Sequence, residues 1–464
     1  MKTTMFRQRA LGAILGSAIG DALGALFEFG PAKEYSRRFP QPVFGGTGEL
    51  TGGGGFNWAP GEFTDDTQMA IVQAESVLAH SGVDRADLFH RFQSWAGGAK
   101  DVGNQTRAVL GSSRGWETAA LDYYRRNPNS SAGNGSLMRA TPTAVHFALG
   151  EEEETIAAAH ECSSVTHADP AAGWGTALCH AMIRAALRGA DPFEALESRL
   201  AALPADQARY REMLAASWEP SQASLPNGTV WTCLAQAVWA VRTHRDSFND
   251  AVTAAIDLGD DTDTVAAVTG GLGGALHGVQ NIPSRWMTYV HGSVTTADGR
   301  RTFRASDLQA LTLRLLNDAP MPETPCGPPE GPTEIAPGIF AADLGAASGV
   351  PRDWAVLSLC RVGERFANHP VRREMFLIDR SAEHNPALAV VIDDAVRTID
   401  AWRAEGRTIV VHCHGGGSRT GLVLRAWLMR QGCSADEATA LVKARWPAFG
   451  EWNESFTSFL SQGW

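Results

Sequence analysis

Through the first 318 residues, apolar positions recur with the spacing of α-helices rather than of strands. Ala, Gly and Leu dominate three such stretches, at 68–78, 174–187 and 264–277. An apolar residue at every third or fourth position places one face of a helix against a core. Alternating apolar and polar runs are hard to find here, and glycine-rich breaks separate the periodic stretches. The pattern predicts an all-α domain over residues 1–318.

The pattern changes after a proline-rich stretch at 319–332, which lacks apolar periodicity and is typical of a stiff linker. From residue 333 onward, short β-rich runs alternate with helical stretches. Strands are predicted at 354–359, 375–378 and 408–411, and helices at 386–403, 420–430, 435–445 and 455–460. Strands that alternate with helices indicate a mainly parallel sheet. We therefore predict a second domain of the α/β class over residues 333–464.

Composition narrows the classes of function. The chain has 464 residues and a net charge of −11, with an isoelectric point near 5.6. That length suits two domains, and that charge argues against a general nucleic-acid binder or a membrane-surface protein. Seven cysteines without regular spacing do not describe a disulfide framework and fit a reducing cytosol. The apolar start of the chain lacks a convincing signal-peptide cleavage site, and no stretch approaches transmembrane length, so we expect a cytoplasmic protein.

Two clusters of Asp and Thr stand out, at residues 64–67 and 260–264. Each comes immediately before a predicted helix. Carboxylates packed this closely repel one another, and a hard divalent cation such as Mg²⁺ is the usual way to make the arrangement favourable. Either cluster alone could also be a helix cap, since Asp and Thr are favoured N-cap residues. The presence of both clusters favours a metal site.

Three further segments lie around these clusters. They are residues 20–24 followed by Glu28, residues 133–139, and Thr166 with His167. In this order and combination, residues 1–318 resemble the ADP-ribosylglycohydrolase family, of the dinitrogenase-reductase-activating glycohydrolase type. The resemblance implies a compact all-α fold with two Mg²⁺ ions in a cleft. The metal ligands that it implies are Thr64, Asp65, Asp66, Asp261, Asp263 and Thr264, with Asp260 as a neighbouring carboxylate.

The resemblance also implies a reaction, hydrolysis of the bond between ribose C1″ of ADP-ribose and an acceptor atom. Such a reaction passes through a cation-like sugar centre, which carboxylates and bound metal stabilise. Glu28 is the candidate acid/base or ribose-orienting carboxylate, although without the preceding 20–24 motif a surface role would be the better interpretation. The implied substrate-binding residues are Gly133, Asn134, Gly135, Ser136, Met138 and His167. Glycine lets backbone N–H groups approach a diphosphate, although such a loop alone is usually a turn and a lone histidine is usually structural.

The second candidate site lies at residues 408–421. A β-run leads to Cys413, a glycine-rich spacer follows, and a helix is predicted to begin near Arg419. Backbone N–H groups, the helix N-terminus and an arginine fork together suit a phosphate dianion. The same field favours the thiolate of Cys413, a candidate nucleophile, and Thr420 can hydrogen-bond the sulfur when it leaves. The loop residues expected to hold the phosphate are His414, Gly415, Gly416, Gly417 and Ser418.

Strand, loop and helix in this order resemble the cysteine-dependent dual-specificity protein phosphatases, over about residues 332–464. Rhodanese-like proteins are a weaker match because they lack the Arg-Thr-Gly start of the helix. The phosphatase family uses an Asp upstream of the cysteine as a general acid, and Asp379 is in that place. The surrounding loop matches loosely, so Glu383 or His384 could contribute instead. The aromatic residues interpreted as core rather than as a recognition surface are Trp446, Trp452 and Phe456.

Together, these motifs predict a bifunctional hydrolase that joins a Mg²⁺-dependent ADP-ribosylglycohydrolase to a dual-specificity-type phosphatase. The expected substrates are an ADP-ribosylated protein, nucleic acid or small molecule for the first domain, and a phosphorylated substrate for the second. Two alternatives stay open. One is a protein that only recognises ADP-ribose or phosphate because one domain is inactive, and the other is a metabolite enzyme that acts on phosphorylated ADP-ribose. Retention of both Asp clusters, Cys413 and Arg419 argues against a loss of catalysis.

Overall fold

The computed structural model describes residues 3–318, 331–446 and 448–463. Its chain divides into two compact units. The first consists of Met1–Gln41, Glu49–Ile282 and Tyr289–Pro320, and the second of Pro42–Gly48, Pro283–Thr288 and Met321–Trp464. Most of the linker predicted at 319–332 lies outside the described residues. Within the described part of the chain, no helix has both the length and the apolar character needed to cross a bilayer.

The chain up to residue 318 is mainly helical, which confirms the predicted all-α class. Its helices are α1 Thr4–Gly24, α2 Glu34–Arg38, α3 Asp65–His80, α4 Arg85–Ala96, α5 Asn104–Leu110, α6 Ala119–Arg126, α7 Thr141–Phe147, α8 Glu152–Ser164, α9 Pro170–Arg188, α10 Pro192–Ala202, α11 Ala208–Met213, α12 Val230–Thr243, α13 Phe248–Ile256, α14 Thr262–His277, α15 Ser284–Met287 and α16 Ala305–Leu315. The three helices predicted from periodicity correspond to α3, α9 and α14. Of the set, α15 belongs to the second unit.

One hairpin in the first unit was not predicted. Strand β1, His291–Thr296, pairs antiparallel with β2, Gly299–Arg304. Burial alternates along β1, whereas β2 is mostly exposed. Because the buried positions of β1 include glycine and threonine rather than large apolar residues, hydropathy alone does not reveal the period of two.

Helices α1 and α14 contact each other through glycine. A Cβ on Gly16 would overlap the carbonyl oxygen of Gly270, so the two backbones touch directly. Only glycine allows this distance. The same approach places Gly24, at the end of α1, against the backbone of Asp263 in the first turn of α14.

The N-terminus of α3 is held at the end of α1 as well. The buried carboxylate of Asp21 accepts hydrogen bonds from the backbone N–H groups of Thr64 (2.9 Å) and Thr67 (3.0 Å). Thr64 is the N-cap of α3 and accepts a hydrogen bond from the N–H of Asp66 at 3.4 Å. Both Asp/Thr clusters therefore stand at helix N-termini, as predicted, and the end of α1 brings the two together.

The second unit contains a five-stranded sheet flanked by helices. Its strands are β3 Thr333–Ala336, β4 Ile339–Ala342, β5 Ala355–Ser358, β6 Arg372–Glu374 and β7 Ile409–His412. Its further helices are α17 Leu344–Ala347, α18 Leu388–Ala404, α19 Ser418–Arg430, α20 Ala435–Arg445 and α21 Glu454–Ser461. The strand order is β3-β4-β7-β5-β6, with only the β3–β4 pair antiparallel. The predicted α/β class with a mainly parallel sheet is confirmed.

One strand differs from its prediction. Strand β6 pairs with β5 through Val356 and Arg372, and the predicted strand at 375–378 is an extended loop that follows it. Met375 and Leu377 of that loop are buried in the core. A short apolar run indicates burial but does not distinguish a strand from a buried loop. Strands β3 and β4 were not predicted.

Two short stretches from the first 318 residues complete the second unit. The buried guanidinium of Arg373 donates hydrogen bonds to the carbonyl oxygens of Phe44 (3.1 Å) and Gly46 (2.9 Å). The backbone N–H of Ser284 donates to the carboxylate of Asp394 at 2.9 Å. Strand β6 and helix α18 are thus stabilised by residues far away in the sequence.

Candidate active sites

A cleft of about 450 Å³ in the first unit brings the two Asp/Thr clusters together. The carboxylate residues that line it are Glu28, Asp65, Asp66, Asp101, Asp261 and Asp263. The other predicted site residues in its walls are Gly133, Asn134, Gly135, Met138, His167 and Thr264. This volume suits a ligand of nucleotide size.

Asp65, Asp66 and Asp263 form a buried acidic group in the wall of this cleft. One carboxylate oxygen from each lies within 4.8 Å of the other two. Burial raises the pKa of all three well above the usual range, and neighbouring carboxylates raise it further. Oδ2 of Asp66 has no hydrogen-bond partner among the residues that the structure describes. Buried carboxylates so arranged are stabilised when a cation balances their charge, so these oxygens fit a hard divalent ion.

The rest of the two clusters is arranged around this group. Thr264 donates its hydroxyl to Oδ1 of Asp66 at 3.4 Å, and Asp261 lines the cleft. Thr64 is completely buried in its role as the N-cap of α3, and it is not among the cleft-lining residues. Asp260 is exposed and has a backbone φ of 61°, so it is a neighbour of the acidic group rather than a member.

Glu28 faces the cleft from just beyond α1. Its Oε2 is buried and lacks a hydrogen-bond partner in the described ranges. Burial, followed by the charges of Asp101 and Asp261, raises the pKa of Glu28 to about 8. The carboxyl group therefore holds a proton at neutral pH when no cation is bound. Asp101, whose pKa burial also raises, was not singled out from the sequence because it belongs to no motif.

The predicted diphosphate loop is stabilised by Asn134. The side-chain amide of Asn134 donates hydrogen bonds to the carbonyl oxygen of Asn227 (3.1 Å) and to Oδ2 of Asp261 (2.8 Å). A Cβ on Gly135 would lie 2.8 Å from Cε1 of His167, so glycine is required at this position. The loop thereby contacts a metal-ligand candidate on one side and the predicted ribose-contacting histidine on the other.

Ser136 is placed differently from the other predicted loop residues. Its hydroxyl accepts a hydrogen bond from Ser163 (2.9 Å) and lies 3.3 Å from the hydroxyl of Thr176. The structure thus turns this side chain into the interior, whereas Met138 lines the cleft.

His167 and Arg139 form a buried pair of supports beneath the loop. Arg139 donates hydrogen bonds to the carbonyl oxygen of Gly135 (2.7 Å) and to Oγ1 of Thr166 (2.8 Å). The same Oγ1 of Thr166 also shares a hydrogen bond with Nδ1 of His167 at 2.8 Å. Burial and the charge of Arg139 lower the pKa of His167 to about 3, so the ring is neutral. Arg139 belongs to segment 133–139, but no support of the loop was predicted for it.

The second candidate site lies between the end of β7 and the start of α19. Cys413 is buried directly after β7, and α19 begins at Ser418. Gly416 has a φ of 69°, and a Cβ there would lie 2.9 Å from the backbone nitrogen of Asp343. Within the described residues, the backbone N–H groups of Gly415, Gly416 and Gly417 donate no hydrogen bonds. A loop of unused donors at a helix N-terminus suits an anion.

Arg419 lies in the first turn of α19 and is oriented by carbonyl oxygens. Its Nη1 donates to the carbonyl oxygens of Leu359 (3.3 Å) and Leu377 (3.2 Å). Nε of Arg419 and the hydroxyl of Thr420 are buried and have no partner in the part of the chain described. Both groups therefore retain a donor for a bound ligand or for the sulfur of Cys413.

His412 precedes the cysteine on β7 and is completely buried. Its Nε2 hydrogen-bonds with the hydroxyl of Ser358 at 2.7 Å. Burial is the main cause that lowers the pKa of His412 to about 3, so this ring carries no charge. His412 therefore adds no positive potential near Cys413, whereas Arg419 and the N-terminus of α19 do.

The predicted general acid, Asp379, accepts a hydrogen bond at Oδ1 from the side-chain amide of Asn453 at 2.9 Å. The two alternatives, Glu383 and His384, lie in the following 3₁₀ turn and both contact the hydroxyl of Ser381. Of the three candidates, Asp379 is closest in sequence to Leu377, whose carbonyl oxygen contacts the guanidinium at the phosphate loop.

The aromatic residues near the C terminus separate into two groups. Trp446 and Phe456 are buried in the core, as predicted. Trp452 is 64% exposed, so the core interpretation was wrong for this residue. A single tryptophan between charged and polar neighbours carries no periodicity that would distinguish the two environments.

A helical unit with a carboxylate-lined cleft and an α/β unit with a strand–cysteine loop–helix define a hydrolase with two catalytic units. Family comparison agrees with this class. Residues 2–324 match the family model of the ADP-ribosylglycohydrolases, and residues 355–462 match that of the dual specificity phosphatase catalytic domain. The chain belongs to the ADP-ribosylglycohydrolase family, whose members depend on divalent metal ions, and it carries a phosphatase domain in addition.

Individual relatives support the first assignment. The chain is 35% identical over 297 residues to the ADP-ribosylarginine hydrolase Tri1 of Pseudomonas putida, which covers 61% of this chain and 74% of the relative. It is 30% identical to the ADP-ribosyl-[dinitrogen reductase] glycohydrolase of Rhodospirillum rubrum, over 60% of this chain and 89% of that protein. A solved structure described as an ADP-ribosylglycohydrolase-related protein complex aligns with a TM-score of 0.53 and 29% identity, over 68% of this chain and 99% of the other.

Proposed function

We propose that the first unit hydrolyses the bond between ribose C1″ and the side-chain nitrogen of an ADP-ribosylated arginine, in a reaction that requires two Mg²⁺ ions. The observation that carries this proposal is the acidic group of Asp65, Asp66 and Asp263, with its oxygens within 4.8 Å of one another inside the cleft. The arginine linkage is supported by the name of the relative that is 35% identical, an ADP-ribosylarginine hydrolase.

The oxygen ligands offered to the metal ions are the three carboxylates of that group together with Thr64, Asp261 and Thr264. When bound, Mg²⁺ would balance the charge of these carboxylates and polarise an oxygen of the ligand. Asp21 supports the arrangement from behind, since it holds the N–H group of Thr64.

Glu28 is the proton-carrying group of the proposed reaction. Its carboxyl group faces the cleft and would give a proton to the leaving nitrogen, while water forms the new bond to C1″. The N–H groups of Gly133 and Gly135 would bind the diphosphate, and Nε2 of His167 would hydrogen-bond with a ribose hydroxyl. These chain groups bind and orient ADP-ribose around the scissile bond.

The test is product analysis with the full chain on peptides ADP-ribosylated at arginine or serine, on ADP-ribosylated nucleic acid, and on ADP-ribose 1″-phosphate. We expect the arginine linkage to be cleaved fastest with Mg²⁺ and cleavage to stop in EDTA. Asp65→Ala should abolish turnover, whereas Asp260→Asn, a change at an exposed carboxylate next to the motif, should keep it. Full activity in EDTA would contradict the metal assignment, and preference for another linkage would contradict the substrate assignment.

We also propose that the second unit hydrolyses phosphate monoesters through Cys413. The sulfur attacks phosphorus, so that an S–P bond forms while the P–O bond to the leaving group breaks, and Asp379 gives its proton to the leaving oxygen. Water then attacks phosphorus and releases inorganic phosphate and the thiolate. The unused N–H groups of the loop and the free Nε of Arg419 support this role, because they can bind the phosphate oxygens.

The corresponding test is turnover of p-nitrophenyl phosphate by the full chain. Cys413→Ser should abolish turnover and retain binding of vanadate or phosphate, since serine stays protonated at neutral pH. Cys433→Ser, at a partly exposed cysteine of the same unit, is the matched control and should stay active. Retained turnover in Cys413→Ser would require a different nucleophile.

A further inference from the structure

Trp452 lies in the loop between α20 and α21 and is 64% exposed, whereas most of a tryptophan side chain is usually buried. An exposed indole ring with a fixed position offers a flat apolar face to a ligand.

The indole ring packs against two glycines. A Cβ on Gly417 would overlap Cη2 of Trp452, and a Cβ on Gly450 would overlap Cζ3. The indole thus lies directly on the backbone of both residues, and Gly417 is the last residue before α19 in the phosphate loop. One part of the ring is fixed against the loop that follows Cys413, and the rest faces solvent.

The segment that carries Trp452 also contacts the loop of the proposed general acid. The side-chain amide of Asn453 donates to Oδ1 of Asp379 (2.9 Å) and to the carbonyl oxygen of Arg380 (3.2 Å). The N–H of Ala382 donates to the hydroxyl of Ser455 at 3.2 Å. Residues 450–455 therefore bridge the phosphate loop and the Asp379 loop, the two elements between which the leaving group of a phosphate ester must lie.

We propose that Trp452 forms a subsite for a flat aromatic leaving group, so that this phosphatase site prefers aryl phosphates of the phosphotyrosine type over alkyl phosphates. The inference rests on the proposed phosphatase activity of Cys413. A phosphate bound by the loop places its ester oxygen toward Asp379, and the group attached to that oxygen extends past the exposed indole. An aromatic ring gains contact area and a favourable ring–ring geometry there, whereas a serine side chain is too short and too polar to use either.

The experiment compares two peptides of identical sequence, one with phosphotyrosine and one with phosphoserine, as substrates of the full chain. The quantity measured is the ratio of kcat/KM for the two peptides. Trp452→Ala should lower this ratio roughly tenfold, as expected for the loss of one stacked ring, and Trp452→Phe should keep most of it. Since the difference in leaving-group chemistry is the same in every variant, the change in the ratio reports on the ring alone. Leu149→Ala, which removes an exposed apolar side chain from the first unit, should leave the ratio unchanged.

A second measurement separates recognition from damage to the loop. In the Cys413→Ser background, Trp452→Ala should weaken binding of the phosphotyrosine peptide and leave phosphate binding intact. An unchanged ratio, or an equal loss for both peptides with weaker phosphate binding, would overturn the subsite and make the indole a structural cover of the loop. If the wild type hydrolyses both peptides and Trp452→Ala has the same ratio of kcat/KM, the subsite proposal is wrong and the phosphatase proposal stands. If it hydrolyses neither peptide nor p-nitrophenyl phosphate, the phosphatase proposal fails and the subsite with it.

Discussion

Replacing Asp263 with asparagine should stabilise the metal-free protein and destroy its response to Mg²⁺. The variant keeps the shape of the side chain and the oxygen that accepts the N–H of Thr264 at 2.9 Å. It removes one charge from a buried group whose oxygens lie within 4.8 Å of one another. Coulomb's law at that distance gives 332/(20 × 4.8), or about 3.5 kcal/mol for each ionised pair at an effective dielectric constant of about 20.

Proton binding limits how much of this repulsion is felt. Burial and neighbouring charge raise the pKa values of Asp65, Asp66 and Asp263 in the folded state, and those of Asp21 and Glu28 to about 6 and about 8. A folded pKa above the unfolded value contributes stability below the unfolded pKa that is lost as the pH rises through the folded pKa. The metal-free protein should therefore lose stability between about pH 4 and pH 8. We expect Asp263→Asn to gain about 1–3 kcal/mol over the wild type at pH 8 and less at pH 5, where protons already neutralise the group.

The assay is thermal unfolding at pH 5 and pH 8, in EDTA and in excess Mg²⁺, followed at the transition that Mg²⁺ shifts in the wild type. In EDTA at pH 8 the variant should unfold a few degrees higher, at roughly 2 °C per kcal/mol. In Mg²⁺ the order should reverse, because only the wild type gains binding energy. The control is Asp260→Asn, an exposed site with a φ of 61°, a conformation that asparagine tolerates. A less stable Asp263→Asn in EDTA at pH 8, or an Mg²⁺ shift equal to that of the wild type, would refute the assigned electrostatics.

Three further changes test other parts of the two sites. Arg139→Met should raise the KM for ADP-ribosylated peptide and lower the free energy of unfolding by about 3 kcal/mol, because the carbonyl oxygen of Gly135 loses a buried donor. Unchanged steady-state kinetics would contradict the support that Arg139 gives to the loop. Asp379→Asn should slow alkyl phosphates far more than activated aryl esters and remove the alkaline limb of the pH–rate profile, whereas Asp393→Asn on α18 should not; equal losses across a leaving-group series would contradict the acid role. Arg419→Lys should lower kcat/KM for p-nitrophenyl phosphate about 100-fold, since an ammonium lacks the planar fork; near-wild-type turnover would show that the fork is not needed.

The class of each half could be predicted because it depends on short-range patterns. The spacing of apolar residues located α3, α9 and α14. Both Asp/Thr clusters fell at helix N-termini, and at α3 the side chain of Thr64 caps the helix. The predicted strand at 375–378 failed for the opposite reason. Only pairing with β5 identifies Arg372–Glu374 as the strand, and no local property of the apolar residues after it reveals that partner.

The site was predictable only where a motif carried it. Asp101 reaches the cleft through folding and belongs to no motif, and the support that Arg139 gives to the loop depends on how the end of segment 133–139 folds back on Gly135. Trp452 and Asn453 are similar, since their contacts with Gly417 and Asp379 join residues far apart in the chain. Such contacts leave no periodic pattern and no motif in the sequence. They become visible only when the loops that follow separate helices and strands are placed together in space.

Under the proposed functions, the two sites would bind anionic ligands by opposite electrostatic means, although both belong to a chain with a net charge of −11. The first concentrates carboxylates, whose pKa values rise, so under the proposed function it would accept a phosphate-bearing ligand only after cations have balanced the local charge. The proposed phosphatase site would need no cation, because unused N–H groups and Arg419 offer positive potential to a phosphate. Removal of divalent ions should therefore abolish hydrolysis of the ADP-ribosyl bond and leave the rate of phosphate-ester hydrolysis unchanged. Parallel loss of both activities in EDTA would mean that the stability of the second unit, rather than its chemistry, depends on the metal.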